Sequence, residues 1–383
     1  MQEFLPGFGI YVHVPFCVRK CSYCRFYKSN PSVGDIDFYI SSIASELGLE
    51  IERAERSGKA LRKPDTMFWG GGTPSMLSEP SIERLALALK PLWPSREWTV
   101  EVAPQTITPS KLSLLKSLGV DRISMGVQSF NPKTLKSLGR DYPAQAALKS
   151  VELVADAGFA KFGIDLIFGA DGQSKGEWLD DLRQAVALPV NHISAYCLEY
   201  ESGTSCCGGG RLSDSAYNKA AREAELFEAA MDFLPANGFP QYEVSNYARN
   251  GAECVHNIST WKMGEWLGFG PSAASQFSGV RRKNPASLED WGKIAAGNSA
   301  AYEDVVKLDD SEMFVSALIF GLRMRSGIDF SELCGRFPAA RHLEKLNILK
   351  DMQSYGLVDI SGERIRLTRA GILVADAVAV ELI

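Results

Sequence analysis

Three cysteines lie close together in Cys17-Val-Arg-Lys-Cys21-Ser-Tyr-Cys24, spaced C-x3-C-x2-C. Thiolates are soft ligands, and a tight group of them on a loop selects zinc or iron–sulfur. Three is one short of the four that close a zinc site or a [4Fe–4S] cube, so an iron held this way keeps an open coordination position. A Cys3His zinc site completed by His13, or three unrelated cysteines, would show the same spacing. Downstream, Gly70-Gly71-Gly72-Thr73-Pro74-Ser75 follows an apolar run. Consecutive glycines let backbone approach a ligand and offer bare N–H donors, whereas a tight turn needs only one. Glu101 and Gln128 each end an apolar run, and Asp165 sits inside Phe162-Gly-Ile-Asp165-Leu-Ile-Phe168. An acid in such a run is costly unless paired, so Asp165 is expected to meet a ligand or Arg140. Further on, His256-Asn257-Ile-Ser-Thr260-Trp261 has Cys254 two residues before it. Imidazole and thiolate both suit iron, although a lone histidine among aromatics is more often a hydrogen-bonded structural residue. Cys206-Cys207, in a Gly-rich loop, is a second thiol pair, read as a loop accident or a metal contact.

These groups need elements to position them. Ile10-Tyr11-Val12-His13-Val14 reads as a buried strand that Pro15 ends, which puts the cysteines at the strand's C-terminal end. Further strands are expected over 66–69, 98–102, 122–126, 162–168 and 192–198. Helices between them are expected over 37–57, 79–92, 109–118, 132–138, 144–157 and 175–188. Six strands alternating with helices predict a parallel sheet with right-handed crossovers, as in a barrel whose chemistry sits at the strand C-termini. Past Glu201 the pattern changes to a Gly-rich loop, a long helix over 214–234 and an extended arm, Gln241-Tyr242-Glu243-Val244-Ser245-Asn246-Tyr247-Ala248. Residues 300–383 read as a separate unit, with helices over 311–324, 329–337, 339–355 and 370–382 and a hairpin at 358–367. Helices followed by a hairpin resemble a winged-helix module. The expected division is 1–285 and 300–383.

The chain has 383 residues, 45% hydrophobic and 23% charged, with net charge −5. That is the composition of an ordinary globular protein, and its acidic balance argues against a nucleic-acid-binding surface. No apolar run reaches the roughly 18 residues of a membrane span. Met-Gln-Glu-Phe-Leu-Pro-Gly lacks the basic and apolar regions of a secretory signal. Eight cysteines, three in a ligand-like group, suit a reducing compartment, and a cytoplasmic location is expected. No hydrolase-like arrangement of Ser, His and Asp is recognisable.

The cysteine spacing resembles the radical S-adenosylmethionine (SAM) signature. YVHVPFCVRKCSYC (11–24), FWGGGTPS (68–75), DRISMGVQSFN (121–131), GIDLIFG (163–169), QYEVSNYA (241–248) and HNISTW (256–261) together resemble the oxygen-independent coproporphyrinogen oxidase-like family. The resemblance implies an α/β fold, a partial (β/α)6 TIM-like barrel with a smaller C-terminal helical, winged-helix-like domain. It implies a [4Fe–4S] cluster on Cys17, Cys21 and Cys24, with SAM on the fourth iron. Tyr11 would pack at the cluster, and Gly71 and Glu101 would hold that SAM. Tyr23, Gly72, Thr73, Gln128, Arg140 and Asp165 match positions that hold a second SAM in the oxidases. Three branches compete within the family. Oxidases carry C-x-C at the end of the cluster motif and a longer N-terminal arm; here Arg25-Phe26 follows Cys24 and nine residues precede the first strand. Heme chaperones carry C-x-Y-C-x-F and H-N-x-x-Y-W, which this chain matches except for Thr260 in place of the tyrosine. Two-SAM methyltransferases of small molecules are the third branch. The chaperone branch fits best and implies heme, with His256 as a ligand, a heme-acceptor protein and a reducing electron donor. Catalysis and chaperoning both retain the same SAM pocket, so no catalytic residue is assigned.

Overall fold

The computed structural model describes residues 7–18, 21–56, 61–140, 142–199, 216–297 and 302–383. Cys206, Cys207 and the Gly-rich loop around them lie outside these. The chain opens with strand β1 (Phe8–Val14), helix α1 (Val33–Arg56), β2 (Thr66–Gly71), α2 (Glu79–Ala88), β3 (Glu97–Val102), α3 (Pro109–Leu118) and β4 (Arg122–Gln128). Then come α4 (Pro132–Ser137), α5 (Ala144–Asp156), β5 (Lys161–Phe168), α6 (Lys175–Ala187), β6 (His192–Cys197) and α7 (Ala216–Ala236). β1 to β6 pair in sequence order, all parallel. Local sequence explains the boundaries. Thr108 caps α3 at Lys111 N–H with Pro109 in its first turn, and Gly119 ends it at φ 100°. Ser174 and Glu177 form a capping box on α6. The strands are buried on both sides, β1 almost throughout, as parallel sheets covered by helices must be.

The sheet grows at both edges beyond those six strands. β7 (Asn246–Ala248) runs antiparallel to β6, so only the end of the expected arm becomes strand. After α8 (Val255–Trp261), β8 (Glu265–Phe269) pairs parallel with β1 and carries β9 (Ala274–Phe277) and β10 (Val280–Lys283). β8 has no clear period in Glu-Trp-Leu-Gly-Phe, and sequence reading missed it. Gly268 tolerates no side chain, since a Cβ there would lie 2.3 Å from the Ala274 carbonyl oxygen. α9 (Leu288–Ala295) and β11 (Glu303–Lys307) complete an 11-stranded sheet.

The C-terminal unit holds α10 (Asp310–Leu322), β12 (Ile328–Asp329), α11 (Phe330–Arg336), α12 (His342–Ser354), β13 (Val358–Ser361), β14 (Arg364–Leu367), α13 (Arg369–Leu373) and α14 (Ala375–Leu382). β12, β14 and β13 form a small antiparallel sheet. The helix expected over 370–382 divides at Val374, whose φ of −123° is not helical. Phe314, Leu318, Leu349, Val358 and Ile365 centre a second core, which Met231, Val244 and Met263 join from the barrel side. The two units thus meet through shared apolar packing. Among the described residues no helix is long and apolar enough to cross a membrane.

Candidate cofactor and ligand site

The cysteine loop leaves β1 at Pro15 and is pinched shut at its base. Cys17 N–H donates to the Ser29 carbonyl (2.9 Å) and Ser29 N–H to that of Pro15 (2.7 Å). The glycine loop is fastened alongside, Gly72 N–H to the Val14 carbonyl and Thr73 N–H to that of Phe16, both 2.8 Å. Two of its glycines are dictated by this approach. Gly71 has φ 93°, and a Cβ there would come within 2.4 Å of the His13 ring; one on Gly72 would lie 2.5 Å from the Val14 oxygen. Cys17 Sγ lies 3.5 Å from Thr73 Oγ1, so both expected binding loops share one surface.

The three thiols are half-buried and unbridged. Burial pushes the Cys17 thiol up, and the neighbouring Cys21 and Cys24 add to the rise. Among the described residues no three His, Cys, Asp or Glu side chains already converge as a metal site. The donor chemistry nonetheless fits an iron–sulfur cluster: three soft, half-buried ligands on one closed loop. It does not fit the zinc alternative. His13 Nε2 donates to the Tyr27 carbonyl (3.0 Å) and its Nδ1 accepts from the Tyr11 hydroxyl (3.1 Å), so neither ring nitrogen is left for a metal.

Behind the loops stand the strand-end acids. Burial raises Glu101 to about 8; Asp165 adds to this and the Gly71 N–H, 3.2 Å away, opposes it. Burial raises Asp165 too, against the Ser194 and Ser124 hydroxyls, the latter 3.3 Å from either carboxylate oxygen. Of the two partners expected for Asp165, a ligand or Arg140, Arg140 does not pair with it. Arg140 donates instead to the Tyr23 hydroxyl at 3.1 Å, because the cysteine loop carries Tyr23 across to it. Burial works against the Arg140 charge, but Tyr23 and Cys21 outweigh it and hold its pKa above the ordinary value. Arg140 Nε is buried with no partner among the described residues. Gln128 has φ 71° where the β4–β5 register slips after Gly126. Such a bulge re-aims a side chain, at a cost few non-glycine residues bear away from binding sites. Gly71, Gly72, Thr73, Glu101, Gln128 and Asp165 thus gather toward the C-terminal ends of β2 to β5, with Tyr23 and Arg140 alongside, whereas Tyr11 stands midway along β1 and also lines the His256 cavity.

His256 lies elsewhere. α8 sits under the barrel beside β1 and β2, and the His256 ring packs on Phe68 with centroids 5.3 Å apart. Its Nδ1 is 2.8 Å from Thr66 Oγ1, its backbone N–H donates to Glu97, and Nε2 has no protein hydrogen bond among the described residues. Burial lowers its pKa to about 4, with Glu97 opposing, so the ring is neutral near pH 7. It lines a cavity of about 300 Å³ with Tyr11, Phe68, Trp261 and Trp266, between the barrel and the C-terminal unit. Thr260 is on the same wall, its hydroxyl turned to the His256 carbonyl at 3.1 Å. Cys254 does not share this cavity. Its sulfur is buried 3.6 Å from Glu97, which with burial pushes the thiol to about 12, so it is a packed thiol and not a second iron ligand. Tyr242 faces the same interior, bonded to His192 at 2.9 Å. Sequence reading missed Arg323, which the C-terminal unit brings to the cavity; nothing in its local sequence marks it.

Comparison with known proteins bears on the whole chain. Residues 11–185 match the Radical SAM superfamily and 308–374 the HemN C-terminal domain. The chain is 31% identical to "Heme chaperone HemW" of Bacillus subtilis over 377 residues, covering 96% of this chain and 97% of that protein. To "Heme chaperone HemW" of Escherichia coli it is 36% identical over 274 residues, 70% of each. The solved structure of coproporphyrinogen III oxidase (HemN) from Escherichia coli superposes with a TM-score of 0.84 over 98% of this chain and 89% of that one; at 21% identity this likeness concerns the fold. The chain therefore belongs to the radical SAM superfamily, whose cofactors are a [4Fe–4S] cluster and SAM, and within it to the coproporphyrinogen oxidase-like family.

Proposed function

We propose that this chain is a heme chaperone that holds a [4Fe–4S] cluster and SAM at the strand ends and heme in the cavity beneath them. Cys17, Cys21 and Cys24 are the cluster ligands, and the pinched Pro15–Ser29 base keeps the three on one short loop. When bound there, the cluster supplies an open iron position for SAM and an electron for its reduction. Gly71 and Glu101 bind the SAM on that iron. The raised Glu101 pKa suits an acid that becomes charged once an ammonium group pairs with it. Gln128, Arg140, Asp165, Tyr23, Gly72 and Thr73 bind a second SAM, with Arg140 fixed by Tyr23. Heme passes on to an acceptor protein, and a reducing protein supplies electrons to the cluster; the setting is the cytoplasm. The barrel extends past the 285–300 boundary expected from sequence, since β11 (Glu303–Lys307) is still a strand of its sheet, and the C-terminal domain begins at about residue 308.

The single observation that carries the heme reading is His256. It is neutral near pH 7, held at Nδ1 by Thr66, without a hydrogen bond at Nε2 among the described residues, and set in an aromatic wall. Neutral imidazole with one nitrogen fixed is the form that ligates iron. The names of the HemW relatives support it. Anaerobic reconstitution followed by heme titration tests it: stoichiometric binding with a Soret shift is expected, weakened about tenfold in His256→Ala. Turnover of coproporphyrinogen III to protoporphyrinogen IX would overturn the chaperone reading in favour of an oxidase. Methyl transfer from SAM without heme binding would favour the methyltransferase branch.

A further inference from the structure

The cavity that holds His256 has a second wall unlike the first. One side is aromatic, with Tyr11, Phe68 and Trp266 around the imidazole; the other carries Glu243, Trp261 and Arg323. Glu243 Oε2, Trp261 Nε1 and Arg323 Nε are all buried with no hydrogen-bond partner among the described residues. Buried polar atoms are rarely left unpaired, and three on one cavity wall mark where a polar ligand group goes. The wall is built, not incidental. The arm before β7 pairs with the chain leaving α10: Val244 N–H donates to the Arg323 carbonyl (3.1 Å) and Arg325 N–H to that of Tyr242 (3.0 Å). That pairing fixes Glu243, 1% exposed, and Arg323 in one register. Glu243 Oε1 is already taken by the Ser245 N–H (3.0 Å) and the Asn246 amide, leaving Oε2. The Arg323 guanidinium lies 4.8 Å over the Trp261 ring. Its carboxylate contact is Asp376, 3.6 Å away and 85% exposed, a weak solvent-side pair. Tyr196, 40% exposed, also lines the cavity and marks its open side, so a ring larger than the cavity need not be fully enclosed.

We propose that Arg323 and the Trp261 N–H form a carboxylate anchor in this cavity, which orients a flat aromatic ligand by a carboxylate side chain while its ring lies against the aromatic wall. The inference rests on the heme reading and deepens it: the propionates of heme supply the carboxylate. Arg is suited to the task, with a planar fork of donors that stays charged when buried. Burial raises the Glu243 carboxyl, Arg323 opposing.

The test compares heme with its dimethyl ester, which keeps the iron and ring and removes both carboxylates. The full-length, cluster-reconstituted protein is titrated anaerobically with each. The ester is expected to bind about tenfold more weakly. Arg323→Leu should weaken heme by about the same factor and leave the ester unchanged, the non-additivity of two changes acting on one contact. Trp261→Phe, which keeps a ring and loses the N–H, should weaken heme about threefold and the ester not at all. These hold even if Arg323→Leu fails to fold, because the wild type against two ligands and Trp261→Phe read the same contact. Equal affinity of wild type for heme and ester overturns the anchor and leaves the heme reading standing. Saturable binding of neither ring overturns the heme reading and the anchor with it.

Discussion

Two glutamates on one strand show how differently the two ends of the barrel are built. Glu97 begins β3 and Glu101 lies one residue before its end. Glu97 is surrounded by donors: Lys161 at 2.7 Å, Arg122 at 3.9 Å, the His256 N–H at 3.2 Å and the Cys254 thiol at 3.6 Å. Glu101, four residues on, has one backbone N–H and a like-charged neighbour in Asp165, and its carboxyl rises to about 8. One end spends its buried charge on closing the barrel floor. The other leaves it unmatched, as sites that take a charged ligand do. Cysteines divide the same way: Cys17, Cys21 and Cys24 sit half-buried on a loop at the upper end, whereas Cys254 is sealed at the lower.

The largest effect expected is on the cysteines. Replacing Cys17, Cys21 and Cys24 together by Ala should abolish iron and sulfide uptake after reconstitution, while Cys254→Ala should retain both in full. Iron retained in the triple variant, or lost in Cys254→Ala, would erase the difference between the two ends. Next comes the pair of acids. Glu97→Gln strands Lys161 and Arg122 and should lower unfolding free energy by about 3 kcal/mol in urea titration. Glu101→Gln should not destabilise the protein but should weaken SAM binding.

Stability against pH sharpens this. Glu101 goes from an ordinary 4.5 to about 8 in the folded state, so folding favours its protonated form. Its contribution is fully present below about pH 4.5 and is lost as pH rises through 8. Glu101→Gln should therefore gain stability relative to wild type as pH climbs across that window, measured by urea midpoints; a constant difference would show Glu101 to be ordinary. His256, lowered to about 4, behaves in the opposite sense. The stability from its neutral form is complete above the ordinary histidine pKa of roughly 6.5 and is lost as pH falls toward 4. Heme affinity should accordingly be flat from pH 8 down to about 6.5, and a loss within that range would count against a neutral imidazole ligand. The smallest effect concerns Gln128. Gln128→Gly relieves the backbone strain at φ 71° and costs chain entropy, so stability should move by less than about 1 kcal/mol. SAM affinity should still fall, because the side chain is gone.

The sequence by itself determined most of the barrel and its upper end. Alternating strands and helices, the C-x3-C-x2-C loop and the glycine triplet are local signals, because a loop following a strand puts its ligands at that strand's end whatever the rest of the chain does. Gly71, Glu101, Gln128 and Asp165 could be placed on one face from strand order alone. Tertiary structure decided what depends on residues far apart in the chain. Gly-interrupted β8 became a strand only because β1 offered it an edge to pair with. Arg140 turned to Tyr23 and left Asp165 to serine hydroxyls because the cysteine loop folds across the barrel mouth. Cys254 and His256 are two residues apart, yet only His256 opens to the cavity, since Cys254 is the N-cap of α8 and about half a helical turn points the two side chains in different directions. Arg323 faces Glu243 through an 80-residue detour closed by backbone hydrogen bonds. Periodicity reads the chain's own turns and pleats, and a contact between distant segments leaves no mark in either.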